Sequence, residues 1–307
     1  MAQRGMSPPR LVAWEVTAAC NLSCPHCRVE GRRSGDGGDG ELSEAEGAKL
    51  IEQLAAAGVS SLILTGGEPL LRADVFDLAR AGCRAGLRVL LATNGLPLSR
   101  GRAAEALASG VARISVSLDG ATAPSHDRLR GDGAFDGALA GIGAARAAGL
   151  PVQVGTTVMR ANLAELAATN ELAARLGACG HNLFLFVPTG CGASLAQERL
   201  SAEEYADALR EVERVCRASL VPMRVTCAPE LALRLPGVAS ECIAGSGFGF
   251  VSASGRLQPC GYMPVDCGSV RGQPFSELWR SSLQLERLRG APRATCLARG
   301  RVEAGVG

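Results

Sequence analysis

Cys20-Asn21-Leu22-Ser23-Cys24-Pro25-His26-Cys27 puts three thiols within eight residues, on the loop after the first apolar run, Leu11 to Val16. Three soft ligands on one loop can hold one metal centre, and thiolates select zinc, copper(I) or iron–sulfur clusters. The fourth ligand has to come from elsewhere in the chain or be left open for a small molecule.

Outward from that loop a pattern repeats. Short apolar strands, Ser61 to Leu64, Arg88 to Ala92, Arg113 to Leu118, Val152 to Val158 and Asn182 to Val187, alternate with stretches whose apolar residues recur at three and four. Those helices run over Glu41 to Ala57, Val75 to Ala85, Arg102 to Ser109, Ala134 to Ala148, Leu163 to Leu176 and Ala202 to Arg217, the first with Ser43 as N-cap and Gly58 as its stop. With Leu11 to Val16 this makes six β-α units. Strands apolar throughout predict a parallel sheet covered by helices, an α/β fold. In barrels of this kind the reactive groups lie on the loops after the strands. Thr65 to Leu70, Thr93-Asn94-Gly95, Asp119-Gly120 and Pro188-Thr189-Gly190 fall there, as the cysteine loop does.

The pattern changes near Leu220. Beyond it lie Val225-Thr226-Cys227-Ala228-Pro229, a short helical stretch to Leu235, and a hairpin of Phe248 to Ser252 and Arg256 to Cys260 that turns at Ser254-Gly255. The expected division is a tail over 1–10, a (β/α)6 core over 11–219 and a separate small α+β domain over 220–307. Gly31 to Gly40 reads as a mobile surface loop, with five glycines in ten residues.

The bulk numbers exclude several classes. A chain of 307 residues, 47% of them hydrophobic, buries a full core. A formal charge of +2 indicates neither a nucleic-acid binder nor a polybasic membrane anchor. No apolar run approaches the length of a membrane span, and the first ten residues have no signal core. Twelve cysteines, three of them clustered, fit metal ligation in a reducing compartment, so a cytoplasmic location is expected.

Cys-x3-Cys-x2-Cys, followed after the second strand by Gly66-Gly67-Glu68-Pro69-Leu70, resembles the radical S-adenosylmethionine (SAM) superfamily. The resemblance implies a partial TIM barrel in which Cys20, Cys24 and Cys27 bind three irons of a [4Fe–4S] cluster and SAM chelates the fourth. Reduction of SAM then releases a 5′-deoxyadenosyl radical that abstracts hydrogen from an unactivated carbon; the cofactor carries that chemistry. It further implies that Gly66, Gly67 and Glu68 hold the methionine ammonium, with Glu68 as the side-chain contact. Thr93, Asn94, Ser117 and Asp119 would lie near the ribose, His26 would face adenine, and Arg130 would pair with the SAM carboxylate. A structural zinc on the three cysteines, with His26 or a distant ligand, is the plainer alternative, and it leaves Gly-Gly-Glu-Pro as coincidence. Asn94 and Asp119 taken singly read as turn formers, and Arg130 as a solvated charge.

Cys242, Gly255 and Cys260 match the opening of the SPASM or twitch extension, which binds auxiliary iron–sulfur clusters. Cys296 is the best further ligand, ahead of Cys267 and Cys227. Leu11 to Thr17, Leu185 to Gly190, Thr226-Cys227-Ala228-Pro229 and Pro259-Cys260-Gly261-Tyr262 together resemble the SAM-dependent heme synthase branch of the siroheme-based heme pathway, with its relatives in didecarboxysiroheme and heme d1 formation. That branch implies oxidative decarboxylation of iron-coproporphyrin III propionates to vinyls, a tetrapyrrole substrate, and an electron donor such as flavodoxin or ferredoxin. A didecarboxysiroheme deacetylase, a peptide-modifying maturase and an inactive cluster-binding remnant are the alternatives. Glu230 stands where the branch has histidine, and Cys191 where a basic residue is expected. After Leu288 only Cys296 remains of the branch's terminal cysteine run, so the second domain is expected to be truncated. Arg32, Arg33 and Arg128 could meet substrate carboxylates, and solvated charge is the simpler reading of each.

Overall fold

The computed structural model describes residues 7–29 and 40–303. Their elements run β1 (Leu11–Thr17), α1 (Glu44–Ala56), β2 (Ser61–Gly66), α2 (Val75–Arg84), β3 (Arg88–Thr93), α3 (Arg100–Ala108), β4 (Arg113–Ser117), α4 (Ala123–Arg130), α5 (Ala134–Ala147), β5 (Val152–Val158), α6 (Leu166–Arg175) and β6 (Gly180–Leu185). Then come α7 (Ala202–Ala218), β7 (Met223–Thr226), β8 (Phe248–Val251), β9 (Leu257–Gln258), α8 (Phe275–Ser281), α9 (Leu283–Arg289) and α10 (Leu297–Glu303).

All nine strands form one sheet, ordered β7-β6-β5-β4-β3-β2-β1-β8-β9. Neighbours from β7 to β8 are parallel and only β8 and β9 run antiparallel. β7 and β9 are the two edges, so the sheet curls into a partial barrel without closing. The expected hairpin is present as β8 and β9, and its strands continue the core sheet. β7 extends the sheet beyond β6, and β8 pairs with β1 through Leu11↔Phe248 and Ala13↔Phe250, so the segment after Leu220 covers both free edges of the six-stranded core.

The strands are not apolar throughout. Residues pointing outward, among them Val12, Trp14, Leu62, Leu64, Val89, Leu91, Ile114, Val116 and Val154, are fully buried under the helices. Inward positions in register with one another are small or polar: Ala92 faces Ser115, Ser117 faces Gly155, and Gly155 faces Asn182. Short side chains on the concave face leave space in the middle of the sheet, and this space is the site described below.

α1 packs closely because Gly47 faces Trp14; a Cβ there would lie 2.9 Å from Leu78 and closer still to the indole. The usual helical cost of glycine, about 1 kcal/mol, is offset by burial of the Trp14 ring. Ser43 caps α1 as expected, in a capping box with Glu46. α4 is unexpected from periodicity, since its eight residues carry one large apolar side chain, Leu129; Thr122 and Ser125 form its capping box and Pro124 fits its first turn.

Candidate active site

The strand ends surround one cavity of about 650 Å3, within the size range of ligand pockets. Cys20, Cys24 and Cys27 lie on its wall, each half-buried and free. Their loop is tied down from both sides. Gly67 and Glu68 donate main-chain hydrogen bonds to the carbonyls of Thr17 and Ala19 at 2.8 Å each, and Gly192 donates to the Cys27 carbonyl at 3.2 Å. A Cβ at Gly67 would lie 2.6 Å from the Ala18 carbonyl and nearer that of Ala19, so the glycine lets two loops touch through their main chains. Burial raises the Cys20 thiol, and pushes that of Cys24 up to about 11 with Arg130 opposing it. Among the described residues no three His, Cys, Asp or Glu side chains converge on a point that one ion could occupy. An iron–sulfur cluster instead takes each thiolate on a different iron.

Gly66, Gly67, Thr93, Asn94, Ser117, His26 and Arg130 all reach the cavity wall. Glu68 and Asp119 are absent from that lining and wholly buried. Glu68 accepts Leu70 N–H at 3.0 Å, the Thr93 hydroxyl at 2.8 Å and Asn94 N–H at 2.7 Å. Burial raises its pKa to about 7 against these hydrogen bonds. Asp119 accepts Arg130 Nε at 2.6 Å and Thr157 N–H at 2.7 Å, with His26 Nε2 at 3.2 Å, so it ties three elements of the site together. Burial alone would raise Asp119, but Arg130 and His26 hold it well below the usual carboxylate range. His26 is correspondingly fixed by Asp119, with its Nδ1 buried and unpartnered. Arg130 spends one N–H on Asp119 and keeps its remaining N–H groups.

Asn94 bonds Asn21 in the cysteine loop at 2.7 Å, and its own turn through Leu96 N–H at 3.0 Å. It is therefore both the turn former and a wall residue. Arg128 donates to the Ala161 carbonyl at 2.5 Å and is not on the wall; Arg32 and Arg33 lie outside the described residues.

A second group of thiols faces the first across the cavity. Cys227, Cys242, Cys260 and Cys296 line it together, while Cys267 packs in the main core. The Cys227 and Cys296 thiols hydrogen-bond each other, and that bond holds Cys296 below the ordinary thiol range despite its burial. Cys227 occupies φ 64°, a conformation costly for a residue with a Cβ. Arg299 of α10 donates to the Cys227 carbonyl at 2.9 Å and to the Tyr205 hydroxyl, which in turn meets Glu230 at 3.1 Å. Glu230, where a histidine is expected from the resemblance, thus anchors α10 rather than facing the cavity.

The same cavity is lined by four of the seven phenylalanines in the chain, Phe184, Phe186, Phe248 and Phe250, with Tyr262. Among the described residues the charged lining residues are Arg28, Arg130, Arg224 and one carboxylate, Glu241. The aromatic lining and the arginines Arg28 and Arg224 escaped sequence reasoning. The only signal of the aromatic lining is the i, i+2 spacing of Phe184 and Phe186 and of Phe248 and Phe250, which puts each pair on one face of a strand.

The family model of the radical SAM superfamily matches residues 14–173. The chain belongs to the radical SAM superfamily. Within it the chain is similar to the AdoMet-dependent heme synthase of Methanosarcina barkeri, 42% identical over 92% of this chain and 85% of the relative. It is also similar to the Fe-coproporphyrin III synthase of that organism, 30% identical over 88% and 73%. In fold it resembles Streptococcus suis SuiB bound to S-adenosylmethionine, with a TM-score of 0.76 and 14% identity over 92% of this chain and 68% of that one.

Proposed function

We propose that this chain is a SAM-dependent radical enzyme of heme biosynthesis, which oxidatively decarboxylates propionate side chains of iron-coproporphyrin III to vinyl groups. The carrying observation is that four of seven phenylalanines line one cavity together with two groups of thiols, in a chain only 4% aromatic. A planar apolar macrocycle with anionic edges suits aromatic walls and an excess of guanidinium groups. The two relatives from Methanosarcina barkeri, both named for iron–porphyrin chemistry, support the same substrate class.

Cys20, Cys24 and Cys27 would hold a [4Fe–4S] cluster, and the free thiols beside a main-chain cradle at Gly66 and Gly67 fit that group. Bound there, the cluster and SAM supply the one-electron chemistry that takes a hydrogen atom from an unactivated carbon. Arg130, with N–H groups left after Asp119, would meet the SAM carboxylate, and Thr93, Asn94 and Ser117 its polar remainder. His26 and Asp119 keep Arg130 in place. The phenylalanines exclude water from the reacting carbon. Each vinyl formed releases one hydrogen atom, one carbon dioxide and one electron; Cys227, Cys242, Cys260 and Cys296 are where an electron acceptor, an auxiliary iron–sulfur cluster, would sit. A flavodoxin or ferredoxin would supply reducing electrons. Among the described residues no disulfide joins two cysteines, which supports a reducing, cytoplasmic setting, and no helix is long and apolar enough to cross a membrane.

Anaerobic incubation of the reconstituted protein with SAM, dithionite and either iron-coproporphyrin III or 12,18-didecarboxysiroheme tests this assignment. Heme, with 5′-deoxyadenosine, is expected from the first substrate alone. Product from the second substrate alone would reassign the chain to the preceding step, and 5′-deoxyadenosine at the substrate-free level with both would end the tetrapyrrole reading.

A further inference from the structure

Arg28 directly follows the last cysteine of the first thiol group, and its Nη1 donates to the carbonyl of Gly261, the residue after Cys260 of the second, at 3.3 Å. Its guanidinium thus lies on the wall between the two groups. The group lies over the Phe250 ring, with its carbon 4.5 Å from the ring centre. A Cβ at residue 261 would lie 3.2 Å from Nη1, so the glycine makes the room the guanidinium occupies. Beneath it the buried Glu15 carboxylate lies 3.7 Å from Nη2, too far for a hydrogen bond, with Oε1 left without a partner.

A guanidinium carries five N–H donors, and here one of them makes a hydrogen bond. Arg28 lines a cavity whose wall, among the described residues, offers one carboxylate, Glu241. A purely structural arginine would spend its donors on carbonyls, as Arg271 and Arg293 do elsewhere in this chain. Of the two other wall arginines, Arg130 is paired with Asp119, and Arg224 sits exposed on the edge strand β7.

We propose that Arg28 is a substrate-binding residue that takes a propionate carboxylate in a bidentate pair, fixing that side chain between the SAM site and the second thiol group. The inference rests on the tetrapyrrole reading above. Glu15 on one edge of the guanidinium then balances charge while the other edge receives the substrate.

The test is equilibrium binding of iron-coproporphyrin III and of its tetramethyl ester to the anaerobically reconstituted protein, read from the Soret band, for wild type, Arg28→Gln and Arg28→Lys. Wild type should prefer the free acid. Arg28→Gln should lose about tenfold or more in affinity for the acid with little change for the ester, and Arg28→Lys should recover part of the loss, because a point charge replaces the fork. Equal losses for acid and ester would mean that Arg28 only shapes the wall, and unchanged affinity for the acid would remove it from the site; either result overturns the proposal. Failure of the wild type to bind either porphyrin would instead overturn the tetrapyrrole reading itself.

Discussion

The Glu68 carboxylate accepts the main-chain N–H of Asn94 at 2.7 Å and so binds the loop after β2 to the loop after β3. The same group accepts Thr93 Oγ1 and Leu70 N–H, which makes it the internal tie of the SAM-side wall. Glu68→Ala leaves buried donors without an acceptor, and a loss of about 2–5 kcal/mol is expected in urea unfolding. Glu68→Gln keeps one acceptor oxygen and should lose less. A wild-type midpoint in the alanine variant would mean that the tie contributes nothing.

Glu68 also fixes a pH dependence. Burial raises its pKa from the ordinary 4.5 to about 7, so between these values the native state binds more protons than the unfolded state. Its contribution is fully present below pH 4.5 and is lost as pH rises toward 7, with no further change above. The stability difference between wild type and Glu68→Gln should therefore fall across that window. A difference that grows with pH would contradict the assignment.

Asp119 behaves with the opposite sign. Arg130 and His26 hold it below the ordinary carboxylate value of 3.8, so its contribution is present above that pH and is lost as acid protonates the native carboxylate. Asp119→Asn leaves Arg130 buried without its counter-charge, at an expected cost of about 3–5 kcal/mol at neutral pH. Acid titration below pH 4 should narrow the gap between variant and wild type; a constant gap would show that the pair is not the source.

Gly67→Ala brings a methyl group against the carbonyls of Ala18 and Ala19, where main chain meets main chain and no side chain can yield. Loss of SAM binding with the first cluster's iron retained is expected, together with about 1–3 kcal/mol of strain. Equilibrium dialysis with labelled SAM decides the matter: undiminished binding would place SAM elsewhere.

Iron and sulfide analysis separates the two thiol groups. With both clusters present the chain should hold about eight irons, falling to about four when Cys20, Cys24 and Cys27 become alanine. Replacing Cys227, Cys242, Cys260 and Cys296 should remove the other four. No loss from the second set would leave the first thiol group as the only cluster site.

The parallel α/β core was legible because fully buried outward residues such as Leu62, Val89 and Ile114 repeat with helical stretches between them. The first thiol loop and Gly66-Gly67 were legible because chemistry fixes their spacing. The segment after Leu220 read as a separate domain, since nothing in Met223 to Thr226 or Phe248 to Val251 announces which distant strand edge each will cover. Glu68 and Asp119 read as ligand contacts, and nothing in the sequence announces that their carboxylates also tie neighbouring loops and strands together. Cys227 could not be ranked above Cys267 because its approach to Cys296 is made across the fold, through Arg299 and a positive φ.

The most direct test follows the hydrogen atom. Iron-coproporphyrin III deuterated at the propionate carbons next to the ring, incubated anaerobically with the reconstituted protein, SAM and reductant, should transfer deuterium into 5′-deoxyadenosine as vinyl groups appear. Unlabelled 5′-deoxyadenosine formed alongside unchanged porphyrin would contradict the proposed reaction.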